Sequence, residues 1–246
     1  MRFLSAHRAP VVLPYQYVLR TLRSNAEVAT SFDSLLSSFE FARGENSQKT
    51  VLVTSTQPQE GKTTITTCLA ITSMLAGQRV LICDGDLRRP SLHRMFGLKN
   101  QVGFADLVAG TCDRAQAIQS VDILRPETGA KPISVIASGT ATQSGFHALG
   151  TERVRSLFHE LAEDYDLILL DSPPALAVND PTLLASAVEN IIFVVAAGDV
   201  DVEQALRAKE RLEQSGTPIV GVVLNRFDDK LYGSSILPHQ RYYHGK

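Results

Sequence analysis

The chain has 246 residues, 44% of them hydrophobic and 20% charged, with a formal net charge of -2. That length allows one large domain or two small ones, and that composition can bury a sizeable core. No global basic field draws in nucleic acid or an anionic membrane, and the longest apolar run, over 191–197, falls far short of the roughly 20 residues that cross a bilayer.

Within residues 1–25, Arg2, Arg8, Arg20 and Arg23 are scattered, and Pro10 and Pro14 bracket only Val11, Val12 and Leu13. No secretory leader core is therefore expected. The three cysteines, Cys68, Cys83 and Cys112, are widely spaced and sit mostly among apolar neighbours. They read as reduced core residues of a cytoplasmic protein rather than as disulfide partners or metal ligands.

Residues 1–49 are expected to form a helical arm. Val18, Leu22 and Asn25 share one face of a helix over 17–27, and Phe32, Leu35, Leu36 and Phe39 mark a second over 32–42. Two readings stand: helices packed on the main domain, or an oligomer contact built on the basic segment from Arg20 to Arg23. Residues 44–48 form a polar connector. A uniformly apolar strand over 50–55 follows, then a loop, then a helix with Ile65, Cys68, Leu69, Thr72 and Leu75 inward and Gly77 as its stop. A second buried strand over 79–83 leads into Asp84 and Asp86, with a short helix from Ser91 and a helical segment between Gly103 and Gly110. Short strands are expected over 121–124 and 133–137, separated by a Pro/Gly turn at 126–132. Thr151 is a candidate N-cap for a helix carrying Val154, Leu157, Phe158 and Leu161. A third buried strand over 166–171 ends in Asp171, and Asp180 with Pro181 forms an N-cap and N1 pair. Strands over 191–197 and 218–224 flank a helix with Val202, Leu206 and Leu212. From 228 no long period persists, so 228–246 reads as a flexible tail. Strands alternating with helices imply crossover connections and a parallel sheet covered on both faces.

Three of these strands end in loops with chemistry. After the first come Gln59, Glu60, Gly61, Lys62, Thr63 and Thr64: strand, polar loop and helix, the order of a phosphate-cradling P-loop. In such a loop Lys62 reaches phosphate oxygens and the Thr63 hydroxyl coordinates Mg²⁺. Thr56 stands where the general motif has glycine, so the motif alone does not separate a P-loop from an ordinary Gly-Lys-Thr turn. The second strand supplies Asp84 and Asp86, and the third Asp171; each is also an ordinary turn or cap residue when taken singly. Asp180 reads more naturally as a cap than as a ligand. Together, in order and each beyond a buried strand, Lys62, Thr63, Asp84, Asp86 and Asp171 point to a nucleotide–Mg²⁺ site at the carboxyl ends of a parallel sheet.

The stretch Val-Leu-Ile-Cys-Asp-Gly-Asp-Leu-Arg-Arg-Pro-Ser-Leu-His over 80–93 resembles the second Walker motif of the bacterial tyrosine kinases. These belong to the MinD/ParA-like branch of P-loop proteins and act in capsule and exopolysaccharide assembly. Residues 165–174 resemble their Walker B segment. Residues 103–110, 178–180 and 221–225 also match the family's pattern, and 20–25 resemble its N-terminal oligomerisation helix. The likeness runs from about residue 15 to 228. It implies an α/β, three-layer P-loop NTPase fold with a mainly parallel central sheet flanked by helices. The domains would be an arm over 1–49, an ATP-binding kinase domain over 50–227 and a tyrosine-containing tail over 228–246. Lys62 and Thr63 would bind phosphates and Mg²⁺, Asp171 would support the metal, and Asp84 and Asp86 would position it and accept the tyrosine proton. Asn225 would meet the adenine base, and Tyr232, Tyr242 and Tyr243 would be phosphorylated in trans. A transmembrane polysaccharide chain-length regulator would offer its cytoplasmic segment as partner and hold a cytoplasmic homo-oligomer at the inner face of the cell membrane, without direct membrane insertion or nucleic acid.

This chain departs from the pattern at Gln59, where the family has glycine, and at Tyr17, where the oligomerisation motif opens with glutamate. The tyrosine cluster is thin. Two other functions compete: a ParA/MinD-type ATPase switch, whose signature lysine is replaced by Gln57, and a nucleotide-binding regulator without kinase activity, suggested by Gln59 and the sparse tail.

Overall fold

The computed structural model describes residues 14–43, 48–124, 129–140 and 143–227. The first 13 residues, most of the connector, part of the turn at 126–132 and the tail with Tyr232, Tyr242 and Tyr243 lie outside the described residues.

Seven strands make one sheet: β1 (Thr50–Ser55), β2 (Val80–Asp84), β3 (Ile118–Val121), β4 (Ile133–Ile136), β5 (Leu167–Asp171), β6 (Asn190–Ala196) and β7 (Ile219–Asn225). Their order is β3-β4-β2-β5-β1-β6-β7, and every pairing is parallel except β3 with β4. β1, β2 and β5 are fully buried because their runs are apolar at both parities, as a sheet covered on two faces demands. On one face lie α1 (Pro14–Ser24), α2 (Ala26–Arg43), α3 (Lys62–Leu75) and α4 (Leu92–Phe96), whose apolar residues pack with Val51, Val53, Ile82, Val135 and Leu169. On the other face lie α5 (Phe104–Ala109), α6 (Arg114–Ala117), α7 (Gln143–Leu161), α8 (Asp180–Ala185) and α9 (Val202–Glu213), packed with Leu52, Leu81, Ile168, Leu170 and Phe193. The result is the expected three-layer α/β sandwich.

The arm is part of this sandwich. Tyr15, Val18 and Leu22 are buried, and the Tyr15 ring stacks on Phe96 with centroids 5.5 Å apart. Asn25 is not on the apolar face: it is exposed, and its Oδ1 accepts from the backbone N–H groups of Glu27 and Val28, which starts α2. Tyr17 is 56% exposed, with the Arg20 guanidinium 5.9 Å from its ring centroid.

Five other local expectations change. β3 begins at Ile118, pairs antiparallel with β4, and leaves Ile123 and Leu124 beyond its end. Helix α7 starts at Gln143, so Thr151 is interior to it rather than its cap. The cap of α8 is Asn179; Asp180 is its first residue and pairs with Arg88 at 3.1 Å. Leu75, at the end of α3, is half exposed. β7 is the edge strand at the β6 side of the sheet, and Val222 and Leu224 are 60% and 50% exposed, so the sheet is not covered on both faces there.

Candidate functional site

The loop between β1 and α3 is built around an inward-turned acid. Glu60 is 2% exposed; its Oε2 accepts from the Thr56 N–H at 3.0 Å and its Oε1 from the Gln57 N–H at 3.1 Å. Those bonds draw the loop into an arch and leave its far side open. Two residues then need a left-handed backbone: Gln59 has φ 69° and Gly61 φ 91°. At Gly61 a Cβ would also stand 2.4 Å from the Asn225 Nδ2, so any side chain there meets the left-handed backbone and has to displace that amide. Helix α3 starts at Lys62, and the partial positive charge and free N–H groups of its first turn face outward from the loop.

Strand register sets the acids beside this helix. Asp171 ends β5 and is the Cα partner of Asp84 on β2 and of Val53 on β1. The Thr63 hydroxyl donates to Asp171 Oδ2 at 2.6 Å and lies 3.1 Å from the Ser91 hydroxyl. Lys62 Nζ is 3.5 Å from Asp86 Oδ2. Asp84 Oδ2 accepts from the Ser91 and Leu92 N–H groups at 2.9 and 3.0 Å, and its Oδ1 from the Asp86 N–H at 3.2 Å. Asp84 thereby folds the loop after β2 so that Asp86, whose Oδ1 accepts from the Arg89 N–H at 2.9 Å, swings towards Lys62.

Burial and the facing Asp171 raise the Asp84 carboxyl to about 7, against the pull of its two backbone donors at Leu92 and Ser91. Burial also raises Asp171, opposed by the Lys62 charge and the Thr63 hydrogen bond. Glu60 is raised by burial despite its two loop N–H donors. Two carboxylates side by side in a dry place favour an added cation. Asp171 Oδ1 is buried with no hydrogen-bond partner among the described residues. Beside the Thr63 hydroxyl it is a hard oxygen donor of the kind Mg²⁺ takes. No group of three or more His, Cys, Asp or Glu forms a ready metal cage among the described residues. Mg²⁺ needs none, since one or two carboxylates, phosphates and waters complete its shell.

The cleft over this centre measures about 670 Å³ and is lined by Gln59, Lys62, Thr63, Thr64 and Asp86. Glu60, Asp84 and Asp171 lie behind it, at 2%, 0% and 0% exposure. Asn225 is brought to the loop itself: its Nδ2 donates to the Glu60 carbonyl at 2.8 Å, and it lines a second cavity of about 590 Å³ between α2 and β7. Tyr232, Tyr242 and Tyr243 are outside the described residues. The sequence reading missed Ser91 and Arg226 and gave Arg88 and Arg89 no task, although all four line the cleft. Ser91 and Arg226 reach it from 28 and 167 positions away from their partners in the loop and first turn, and no local spacing announces such contacts.

Comparison with known proteins identifies the family. A family model for ParA, described as an NUBPL iron-transfer P-loop NTPase, matches residues 46–228. The tyrosine-protein kinase YwqD of Bacillus subtilis is 30% identical over 215 residues, which covers 87% of this chain and 85% of YwqD. The tyrosine-protein kinase Etk of Escherichia coli is 30% identical over 192 residues, 78% of this chain but 26% of that longer protein. Among solved structures, the Etk kinase domain superposes with a TM-score of 0.76 at 27% identity, covering 92% of this chain and 86% of the other. The chimerical protein CapA2B2 gives 0.73 at 27% identity, covering 84% and 89%. MinD of Pyrococcus horikoshii, complexed with Mg-ADP, gives 0.61 at 21% identity over 78% and 75%, a likeness of fold alone. The chain belongs to the bacterial tyrosine-protein kinases, within the ParA-like P-loop NTPases.

Proposed function

We propose that this chain is an Mg²⁺-ATP-dependent autokinase that transfers phosphate to tyrosines of its own tail in trans. The observation that carries the reading is the joining of Lys62 to Asp86 and of Thr63 to Asp171 at one cleft. In this reading the loop N–H groups and Lys62 bind the phosphates. Thr63 and Asp171 hold the metal, with Asp84 beside them, and Mg²⁺ when bound neutralises phosphate charge. Asp86 is the carboxylate at the cleft wall. Its Oδ2 takes the proton of a tyrosine hydroxyl, whose own pKa near ~10 leaves it protonated at neutral pH. Lys62 Nζ stands 3.5 Å from that oxygen, so one cation faces both the acid and the phosphate side of the cleft. Such positioning and charge neutralisation are what phosphoryl transfer asks of a protein. The acceptors are Tyr232, Tyr242 and Tyr243, Asn225 borders the adenine, and the process is exopolysaccharide or capsule synthesis or export. The assembly is a cytoplasmic homo-oligomer recruited to the inner membrane face by the cytoplasmic segment of a transmembrane chain-length regulator.

A ParA/MinD-type switch is disfavoured by Gln57. Its Nε2 donates to Gln204 Oε1 at 2.6 Å within the same chain, which ties down the position where such switches place their signature lysine. Incubation with Mg²⁺-ATP, followed by phosphate mapping by mass spectrometry, tests the proposal. Phosphotyrosine at 232, 242 or 243 is expected, lost in Lys62→Met. ATP hydrolysis without phosphotyrosine would instead support the switch, and bound nucleotide with neither reaction the regulator.

A further inference from the structure

We propose that Arg226 is a positioning residue for the nucleotide loop, holding the Gln59 carbonyl through a clasp that Asp199 orients; the proposal rests on nucleotide binding in the reading above but not on phosphotransfer. Among the described residues, Gln59 and Arg226 are the two non-glycine residues with positive φ, 69° and 57°. They touch each other. Arg226 Nη2 donates to the Gln59 carbonyl at 2.5 Å, and its Nη1 pairs with Asp199 Oδ2. The clasp thus joins three segments distant in sequence: the loop after β6, the end of β7 and the arch between β1 and α3.

Left-handed backbone at a side-chain-bearing residue persists only where its surroundings over-determine it. At position 59 glycine would take that conformation freely, and this chain has glutamine. The structure supplies restraint from outside instead. Arg226 fixes the Gln59 carbonyl, and Gln204 of α9 fixes the neighbouring Gln57 side chain. The Arg226–Asp199 ion pair is about half exposed on both sides, so by itself it stabilises the fold little. Its use is directional. A carboxylate on one N–H of a planar fork aims the other at a single acceptor, which an ammonium does not reproduce. Gln59 and Arg226 both line the cleft with Lys62 and Thr63, so a loop released from the clasp would present its N–H groups less well to phosphate.

The test is equilibrium binding of a fluorescent ATP analogue with Mg²⁺, alongside steady-state tyrosine phosphorylation and thermal unfolding. Arg226→Ala is expected to weaken binding and raise the KM for ATP about tenfold, the worth of one charge-assisted hydrogen bond, with kcat within about twofold. Arg226→Lys should recover only part of this, and Asp199→Asn should fall between wild type and Arg226→Ala. In a Gln59→Gly background the loss from Arg226→Ala should shrink to about threefold or less, because the loop then holds its shape without restraint. Unchanged binding in Arg226→Ala and Asp199→Asn overturns the proposal. So does the same tenfold loss in both backgrounds, which would make Arg226 a direct ligand contact. Should Arg226→Ala unfold, Arg226→Lys and Asp199→Asn in the two backgrounds decide. A wild-type chain that binds the analogue but yields no phosphotyrosine overturns the kinase reading and leaves the clasp to be judged on binding; one that binds no analogue overturns both.

Discussion

Lowering the pH from 8 to 5 should make the metal-free, nucleotide-free protein more stable. Asp84 is the reason. Its carboxyl is raised from 3.8 to about 7 by burial and by the facing Asp171. An acid that holds its proton more tightly when folded contributes its full stabilisation below the unfolded pKa, and loses it as pH rises to the folded one. The window is therefore about pH 4 to 7. At about 1.4 kcal/mol per unit, the part between pH 5 and 7 is worth on the order of 3 kcal/mol. For a chain of this length that is a Tm rise of about 8 °C. Asp171 and Glu60, both raised by burial, act in the same sense. His93, lowered by burial and by Arg94, opposes them below about pH 6.5 and trims the rise. Asp166, held down to about 2 chiefly by its Arg79 hydrogen bonds, is an exposed pair that acts only below the window. Differential scanning fluorimetry in chelator at pH 5, 6, 7 and 8 measures the effect, and a second series with saturating Mg²⁺-ADP should flatten it. A Tm that falls steadily from pH 8 to 5, or a slope indifferent to Mg²⁺-ADP, would refute the claim that these acids form a cation-seeking cluster.

Gln59→Gly should raise Tm by about 2 °C. Relief of about 1–2 kcal/mol of left-handed strain outweighs the about 0.4–1 kcal/mol that glycine's freedom costs in the unfolded chain. Gln59→Val should lower it, since a β-branched residue tolerates φ 69° poorly; a Val variant as stable as wild type would contradict the strain. Gly61→Ala should abolish binding of the ATP analogue and cost about 1–3 kcal/mol of stability, because its methyl meets the Asn225 amide at 2.4 Å. Titration calorimetry and thermal unfolding check both parts, and near-wild-type affinity would show that Asn225 yields freely.

The central strands are readable because a sheet covered on both faces demands unbroken apolar runs, and 51–53, 80–83 and 167–170 are such runs. Beyond each, the acids and the Gly-Lys-Thr turn could be placed because parallel topology sends every strand's carboxyl end to one rim. The register that sets Asp84 against Asp171 is a property of pairing, not of either strand's letters. β3 was misplaced for a similar reason: Val121 to Leu124 is the more apolar stretch, yet the edge strand earlier in the chain is chosen by antiparallel pairing with β4. Thr151 has the residue type of a cap and stands just before the apolar pattern of Val154, Leu157, Phe158 and Leu161, yet α7 begins earlier, at Gln143. By its place in the loop Glu60 falls among the expected phosphate-binding residues. That its side chain turns inward to Thr56 and Gln57 depends on the fold around it.

The inward Glu60 also bears on how tightly and how quickly a ligand is met. A loop that closes only around its guest must lose chain entropy at the moment of binding, and that loss is subtracted from affinity. Here two of the arch's N–H groups are fixed by a carboxylate from within the loop, and Asn225 and Arg226 hold its Glu60 and Gln59 carbonyls from β7 and just beyond it. The ordering is completed when the sheet assembles, long before a phosphate arrives. Association at such a site is limited by diffusion and charge rather than by loop rearrangement, and its tightness is set by how well the arch was made.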